Sequence, residues 1–162
     1  MKVLKKILWI LLVVLIVIQF IRPEKNISAE VSPAHISSKF PVPEDVKQIL
    51  STSCYDCHSN NTHYPWYFSV QPIAWWLADD IEEGKHHLNF DEFASYNLRR
   101  QYKKFEAIGE HIKEDEMPLE TYTFIHHSAI LSPEQKEKLI QWSSDRVKEM
   151  KATYPPDSLL KK

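Results

Sequence analysis

Cys54 and Cys57 are the only cysteines of the 162-residue chain, and His58 follows the second directly. Two thiols three positions apart with an adjoining imidazole suit attachment to a haem, a dithiol redox pair, part of a zinc site or a plain disulfide. Haem attachment uses all three residues. Each thiol adds to one vinyl group, Tyr55 and Asp56 set the reach between the vinyls, and His58 offers a ring nitrogen to the iron as proximal ligand. A thioredoxin-type dithiol wants a βαβ context, which is not visible. A structural zinc ion takes four ligands, and adjacent Cys57 and His58 fit its usual spacings poorly. A disulfide leaves His58 without a role. The pattern predicts one covalently attached haem c, with its iron, on Cys54 and Cys57.

An iron held by His58 has a second axial position. Met117, followed by Pro118, is the best candidate for it: a thioether is a soft, neutral ligand, and Met/His ligation raises the reduction potential. The proline keeps Met117 extended and ends the preceding helix. Met1 and Met150 are poorer rivals, one at the start of the chain and one among core positions of the last helix. Histidine remains the alternative, at His63, His86, His87, His111, His126 or His127, with His126 and His127 the strongest rivals because they follow Met117 closely.

These residues need an exported, helical scaffold. Ile7 to Ile21 is apolar apart from Gln19, preceded by Lys2, Lys5 and Lys6 and ended by Arg22-Pro23. This reads as an uncleaved signal anchor, a transmembrane helix over residues 1–22, with the lysines snorkelling and the N-terminus in the cytoplasm. The rest then lies on the periplasmic side of the cytoplasmic membrane, single-pass, where haem is attached to such motifs. Residues 23–42, with prolines at 23, 33 and 41, another directly after at 43, and no sustained apolar period, read as a linker. Residues 43–152 are the expected haem-binding domain and 153–162 a fraying tail. Helices are expected over Pro43–Ser53, Pro72–Gly84 with Gly84 as C-cap, and Leu98–Glu114. A short one is expected over Asp91–Tyr96, and a last one runs from the Ser132–Gln135 capping box to about Lys151. Lysines and glutamates on the third of these read as a solvated face. The fold class is all-α, a bundle of four to five helices around the haem.

Composition narrows the classes further. Only 2 glycines argue against a Gly-rich phosphate loop and a turn-rich β fold. Net charge is −2; without the four bases of the leader the rest carries 16 of the 20 bases against 22 acids. A mildly acidic domain is no nucleic-acid binder. Five Trp, seven Tyr and seven Phe could wall a flat apolar cofactor.

The stretch from Cys54 to Trp142 resembles the haem-binding domain family of membrane-anchored, single-haem, c-type cytochrome-like proteins. The resemblance rests on Cys-Tyr-Asp-Cys-His-Ser at 54–59, Tyr-Pro-Trp-Tyr at 64–67, Pro72 with Trp75-Trp76, and Gly84 with Leu88-Asn89-Phe90. It continues through Met117-Pro118-Leu119 with Tyr122, His126, Leu131-Ser132 and Trp142. It implies covalent haem on Cys54 and Cys57, His58 proximal and Met117 distal; more broadly the order of elements is similar to class I cytochromes c. The functional expectation is an electron carrier, not an enzyme, anchored in the membrane and served by a redox partner protein. The alternative is a haem peroxidase or a gas or redox sensor with an open or displaceable sixth position, with His126, His127 or Tyr122 as its distal polar group.

Overall fold

Every regular element of the described chain, residues 2–28, 30 and 32–160 of a computed structural model, is helical, and no strand occurs among these residues. Met1, Ala29, Val31, Lys161 and Lys162, which belong to the expected anchor, linker and tail, lie outside the described residues. In chain order the α-helices are α1 (Lys2–Ile18), α2 (Glu44–Ser53), α3 (Tyr55–His58), α4 (Ile73–His87), α5 (Leu98–Lys113), α6 (Glu120–Thr123), α7 (Pro133–Thr153) and α8 (Pro156–Leu159). Short 3-10 turns lie between several of them; one, Phe93–Ser95, replaces the short helix expected over Asp91–Tyr96.

Local chemistry sets the helix starts. Pro43 stands before α2, and Glu44 and Asp45 in its first turn favour the positive end of the helix. The Asn97 side chain accepts from the Arg100 backbone N–H at 2.9 Å and opens α5. Ser132 and Gln135 cap α7 reciprocally, with Pro133 in the first turn. Each long helix of the core then buries one stripe: Val46, Ile49 and Leu50 on α2; Tyr102, Phe105, Ile108 and Ile112 on α5; Leu139, Trp142 and Met150 on α7. The α5 and α7 stripes meet. Gly109 lets them come close, because a Cβ there would lie 2.8 Å from Ser143 Oγ. Phe105 is fully buried at their crossing, with ring centroids 4.9 Å from Phe40, 4.8 Å from Phe93 and 5.6 Å from Trp142.

Residues 23–42 do not hang free as the linker reading expects. Ile36 and Phe40 are buried in the core, and the Ile36 N–H donates to the Phe90 carbonyl at 2.8 Å. Asn26 binds the Ser59 carbonyl and Thr62 Oγ1 through its amide, at 2.8 and 2.9 Å. Two isolated apolar residues give no period in sequence, yet each fills a place in the core. The tail also docks: Leu159 on α8 is buried, and Arg99 donates to the Asp157 and Leu160 carbonyls.

The expected transmembrane helix over residues 1–22 is not found. Helix α1 stops at Ile18 after 17 residues, about 25 Å at the usual rise per residue and short of a hydrocarbon core of about 30 Å. Among the described residues no helix is long and apolar enough to cross a membrane. The reason for the stop lies in Gln19, the one polar residue of the run. Its side chain binds the Gln71 backbone, accepting from the N–H at 2.9 Å and donating to the carbonyl at 3.2 Å. The chain then turns and lays the Ile21 carbonyl on Gln71 Nε2 and Trp75 Nε1, at 3.0 and 2.9 Å. No residue of α1 is buried.

Candidate functional site

Helix α2 delivers the chain to Cys54, which closes its last turn by donating its N–H to the Leu50 carbonyl. One further turn, α3, places Cys57 three and His58 four residues on, with the Cys57 and His58 N–H groups both donating to the Cys54 carbonyl. That spacing puts all three side chains on one face. Helix α4 lies against this turn at Gly84. A Cβ there would meet the Cys57 carbonyl oxygen at 2.8 Å and Cys57 Cβ at 3.2 Å. Gly84 is therefore a close-approach residue inside α4, which continues to His87, and not the C-cap expected from sequence.

The contact fixes His58. Its Nδ1 lies 2.9 Å from both the Gly84 and Leu88 carbonyl oxygens. Carbonyls only accept, so Nδ1 carries the proton and Nε2 keeps its lone pair. Burial holds the ring's pKa below the ordinary histidine value, against the pull of the two carbonyls. The imidazole is thus neutral and poised to donate at Nε2. Burial also pushes both thiols up to about 12, helped by Cys57 at Cys54 and by Asp56 and Asp80 at Cys57. The cysteines are free, unpaired thiols.

Cys54, Cys57, His58 and Met117 all line one cavity of about 430 Å³. Its walls are mainly apolar: Leu50, Leu88, Phe90, Ala107, Ile108, Ile112, Pro118 and Leu131. Met117 reaches it from the loop between α5 and α6, as its position before Pro118 predicts. Of the six rival histidines, His87 and His111 line the cavity and the others do not; His126 and His127, the strongest rivals in sequence, lie elsewhere. His126 instead stacks on Tyr122 with ring centroids 4.3 Å apart and bonds the Tyr67 hydroxyl.

Asp56, one of the two residues between the cysteines, ties this loop to the motif. Its carboxylate accepts from the Tyr122 hydroxyl at 2.7 Å and the His63 N–H at 2.9 Å, and its carbonyl accepts from Thr62 Oγ1. Burial first, and the Asp56 bond next, push the Tyr122 hydroxyl well above the usual phenol value. Asp56 and Tyr122 also line a second, polar hollow of about 530 Å³ on the outer side of the motif. The spacing of the cysteines makes Asp56 part of the reach between the thiols and predicts none of these bonds. Lys104, read as part of a solvated face, lines the cavity as well.

The donor set suits a haem. An iron that brings four pyrrole nitrogens needs only axial ligands, and a neutral imidazole and a thioether share the cavity with two thiols at vinyl-reaching spacing. A bare ion needs more, and among the described residues no group of three or more His, Cys, Asp or Glu could hold one. Fold and site together define an all-helical cofactor domain, with its cofactor cavity walled by α2 to α5 and the loop after α5. The haem-binding domain family model matches residues 13–145, and the chain belongs to that family. No curated protein matches it, and no solved structure does.

Proposed function

We propose that this haem-binding domain is a c-type cytochrome: one haem, covalently attached through Cys54 and Cys57, with His58 and Met117 as axial ligands, serving electron transfer outside the cytoplasm. In attachment each S–H adds across a vinyl C=C, sulfur to one carbon and hydrogen to the other, with no net oxidation. The haem supplies a one-electron ferric–ferrous couple. The observation that carries the reading is the fixed imidazole of His58 in the same apolar cavity as Met117 and the two thiols. Two strong axial ligands leave no open position for substrate. Tyr122, the polar candidate of the peroxidase or sensor alternative that lines the cavity, has its hydroxyl committed to Asp56. A redox partner protein is part of this reading. Attachment to the cytoplasmic membrane is too, with the domain on its outer side: beyond Lys6, α1 is apolar on every side with no residue buried, and Phe20 and Ile21 continue its apolar surface.

Co-expression with the c-type maturation machinery, followed by haem staining of a denaturing gel, tests the attachment. Stain should follow the full chain and disappear in the Cys54→Ala/Cys57→Ala double variant; an unstained wild type rejects the reading. The ferric spectrum tests the ligands. A sulfur-to-iron charge-transfer band should be present and should vanish in Met117→Ala, with the potential lowered and carbon monoxide binding gained. A high-spin wild type with ready carbon monoxide binding would favour the sensor or peroxidase.

A further inference from the structure

One basic side chain on the cavity wall has no partner. His87 lies 3.7 Å from Glu83, and His111 is paired with Glu116, but Lys104 makes no hydrogen bond or ion pair among the described residues. Helix α5 presents Lys104, Ala107, Ile108 and His111 to the cavity at three- and four-residue steps, so Lys104 and His111 stand at the two ends of that stretch with apolar residues between them. Its neighbour Lys103 is exposed, whereas Lys104 is half-buried and burial holds its pKa below the usual lysine value, with Arg100 adding to the effect. A cation held against apolar surface without a counter-charge is costly.

Charge is unevenly spread around this cavity. Asp80 and Glu83 line it from α4, and Asp80 acts on the Cys57 thiol. Lys104 lines it from α5, which packs chiefly on α7, whereas Cys57 sits where α3 meets α4 at Gly84. The acids therefore stand on the helix that touches Cys57, and the unpartnered cation stands on another wall. A haem has the matching polarity: its vinyl groups are on one edge, and its two propionates leave from the opposite edge.

We propose that Lys104 is a cofactor-binding residue that pairs with a haem propionate. The assignment rests on the reading that the haem is attached at Cys54 and Cys57, because that attachment fixes which edge faces away from the thiols. Removing the amine leaves the propionate uncompensated, and its negative charge then favours ferric over ferrous iron.

The test uses the haem-loaded full chain as wild type, Lys104→Gln, Lys104→Arg and Lys103→Gln. Covalent haem per chain, midpoint potential and the resonance Raman propionate bending band are read for each. Lys104→Gln should keep its haem, because the thioethers hold it, yet show a lowered potential and a shifted propionate band. Lys104→Arg should return the potential towards wild type, and Lys103→Gln should match wild type in both readings. The Raman band needs only those chains that load, so it decides the matter even where Lys104→Gln matures poorly. A wild-type potential and band in Lys104→Gln overturn the proposal, as does an equal shift in Lys103→Gln. A wild-type chain without haem overturns the attachment reading and this proposal with it, a result distinct from a loaded wild type that ignores Lys104.

Discussion

The two sides of the cavity are held by different kinds of bond. On the His58 side the ties are backbone: the ring is gripped by the Gly84 and Leu88 carbonyls, and the Phe90 N–H donates to the His58 carbonyl at 2.8 Å. On the Met117 side, between α5 and α7, the Met117 N–H donates to the His111 carbonyl at 3.3 Å, but the ties to other parts of the chain run from side chain to side chain: Tyr122 to Asp56, His126 to Tyr67 and Asp115 to Lys136, with Glu116 to His111 beside them. A point substitution removes a side-chain tie and leaves a backbone carbonyl in place. The proximal side should therefore be hard to disturb except by displacing a helix, and the loop should loosen by single steps.

Gly84→Val displaces a helix. The new Cβ meets backbone and Cβ atoms of Cys57, which cannot rotate aside. The expected cost is about 3 kcal/mol, the upper part of the overpacking range and larger than the roughly 1 kcal/mol of helix propensity that replacing a glycine can return. Denaturant unfolding of the full chain reads it. Covalent haem yield should fall in parallel, because α4 carries the Gly84 and Leu88 carbonyls that hold His58. An undisturbed yield would show that the proximal side does not depend on this approach.

Tyr122→Phe is the matching cut on the loop side. It removes the donor to Asp56 and leaves the His63 N–H on the other carboxylate oxygen. A hydrogen bond to a charged group contributes about 1.5–3 kcal/mol, and the partial exposure of Asp56 brings the expected loss to about 1 kcal/mol. Haem content should stay at the wild-type level while the sulfur-to-iron band weakens and carbon monoxide binding rises. Loss of haem in this variant would erase the distinction between the two sides.

The same contrast explains what could be read from the amino-acid order. Helices α2, α5 and α7 repeat their apolar residues at three- and four-residue steps and carry their own start signals, so local chemistry announces them. Met117 is legible because Pro118 follows it. Gly84 is ambiguous, since a glycine ends a helix or admits a neighbour, and only the position of Cys57 decides which. Ile36, Phe40 and Leu159 are buried by partners far along the chain, which no local period records. Gln19 reads as a mere interruption until Gln71 is beside it. Asp56 and Lys104 stand in a motif spacer and on a charged helix face, and only the folded cavity shows what they meet.

Acid should strain the proximal side through His35, in the segment packed beside Phe90. Burial holds its pKa below 6.5; Asp91, 4.0 Å away, opposes this and Lys47 reinforces it. A base with a depressed folded value binds protons more readily in the unfolded chain, so stability rises with pH. His35 therefore contributes fully above 6.5 and loses its contribution as pH falls from 6.5 towards its folded value. Asp80, raised chiefly by burial, works in the opposite sense above 3.8, so a difference between two proteins is needed. Urea midpoints of wild type and His35→Gln, compared at about pH 7 and about pH 5, supply it. The wild type should lose more than the variant on acidification; equal losses would place the acid sensitivity elsewhere.

The smallest effect is expected at Asp115, where α5 gives way to the loop. Its φ of 60° is left-handed, and the Glu116 N–H reaches the His111 carbonyl at 2.9 Å while the Asp115 N–H reaches that of Ile112 at 3.3 Å. That double closure ends a helix through its backbone and usually takes glycine at the left-handed position. Asp115→Gly removes the conformational cost of the aspartate. It also adds unfolded-state entropy and loses the exposed pair with Lys136, each worth about 1 kcal/mol or less. The three changes should cancel to within about 0.5 kcal/mol. Asp115→Ala keeps the strain and loses the pair, and should cost about 1 kcal/mol. If the backbone turn aims Met117, Asp115→Gly keeps the sulfur-to-iron band; if the Lys136 pair aims it, the band weakens in Asp115→Gly and Asp115→Ala alike. The first outcome would extend backbone anchoring to the root of the loop and leave Asp56 and Tyr122 as the place where its hold on the motif can be cut.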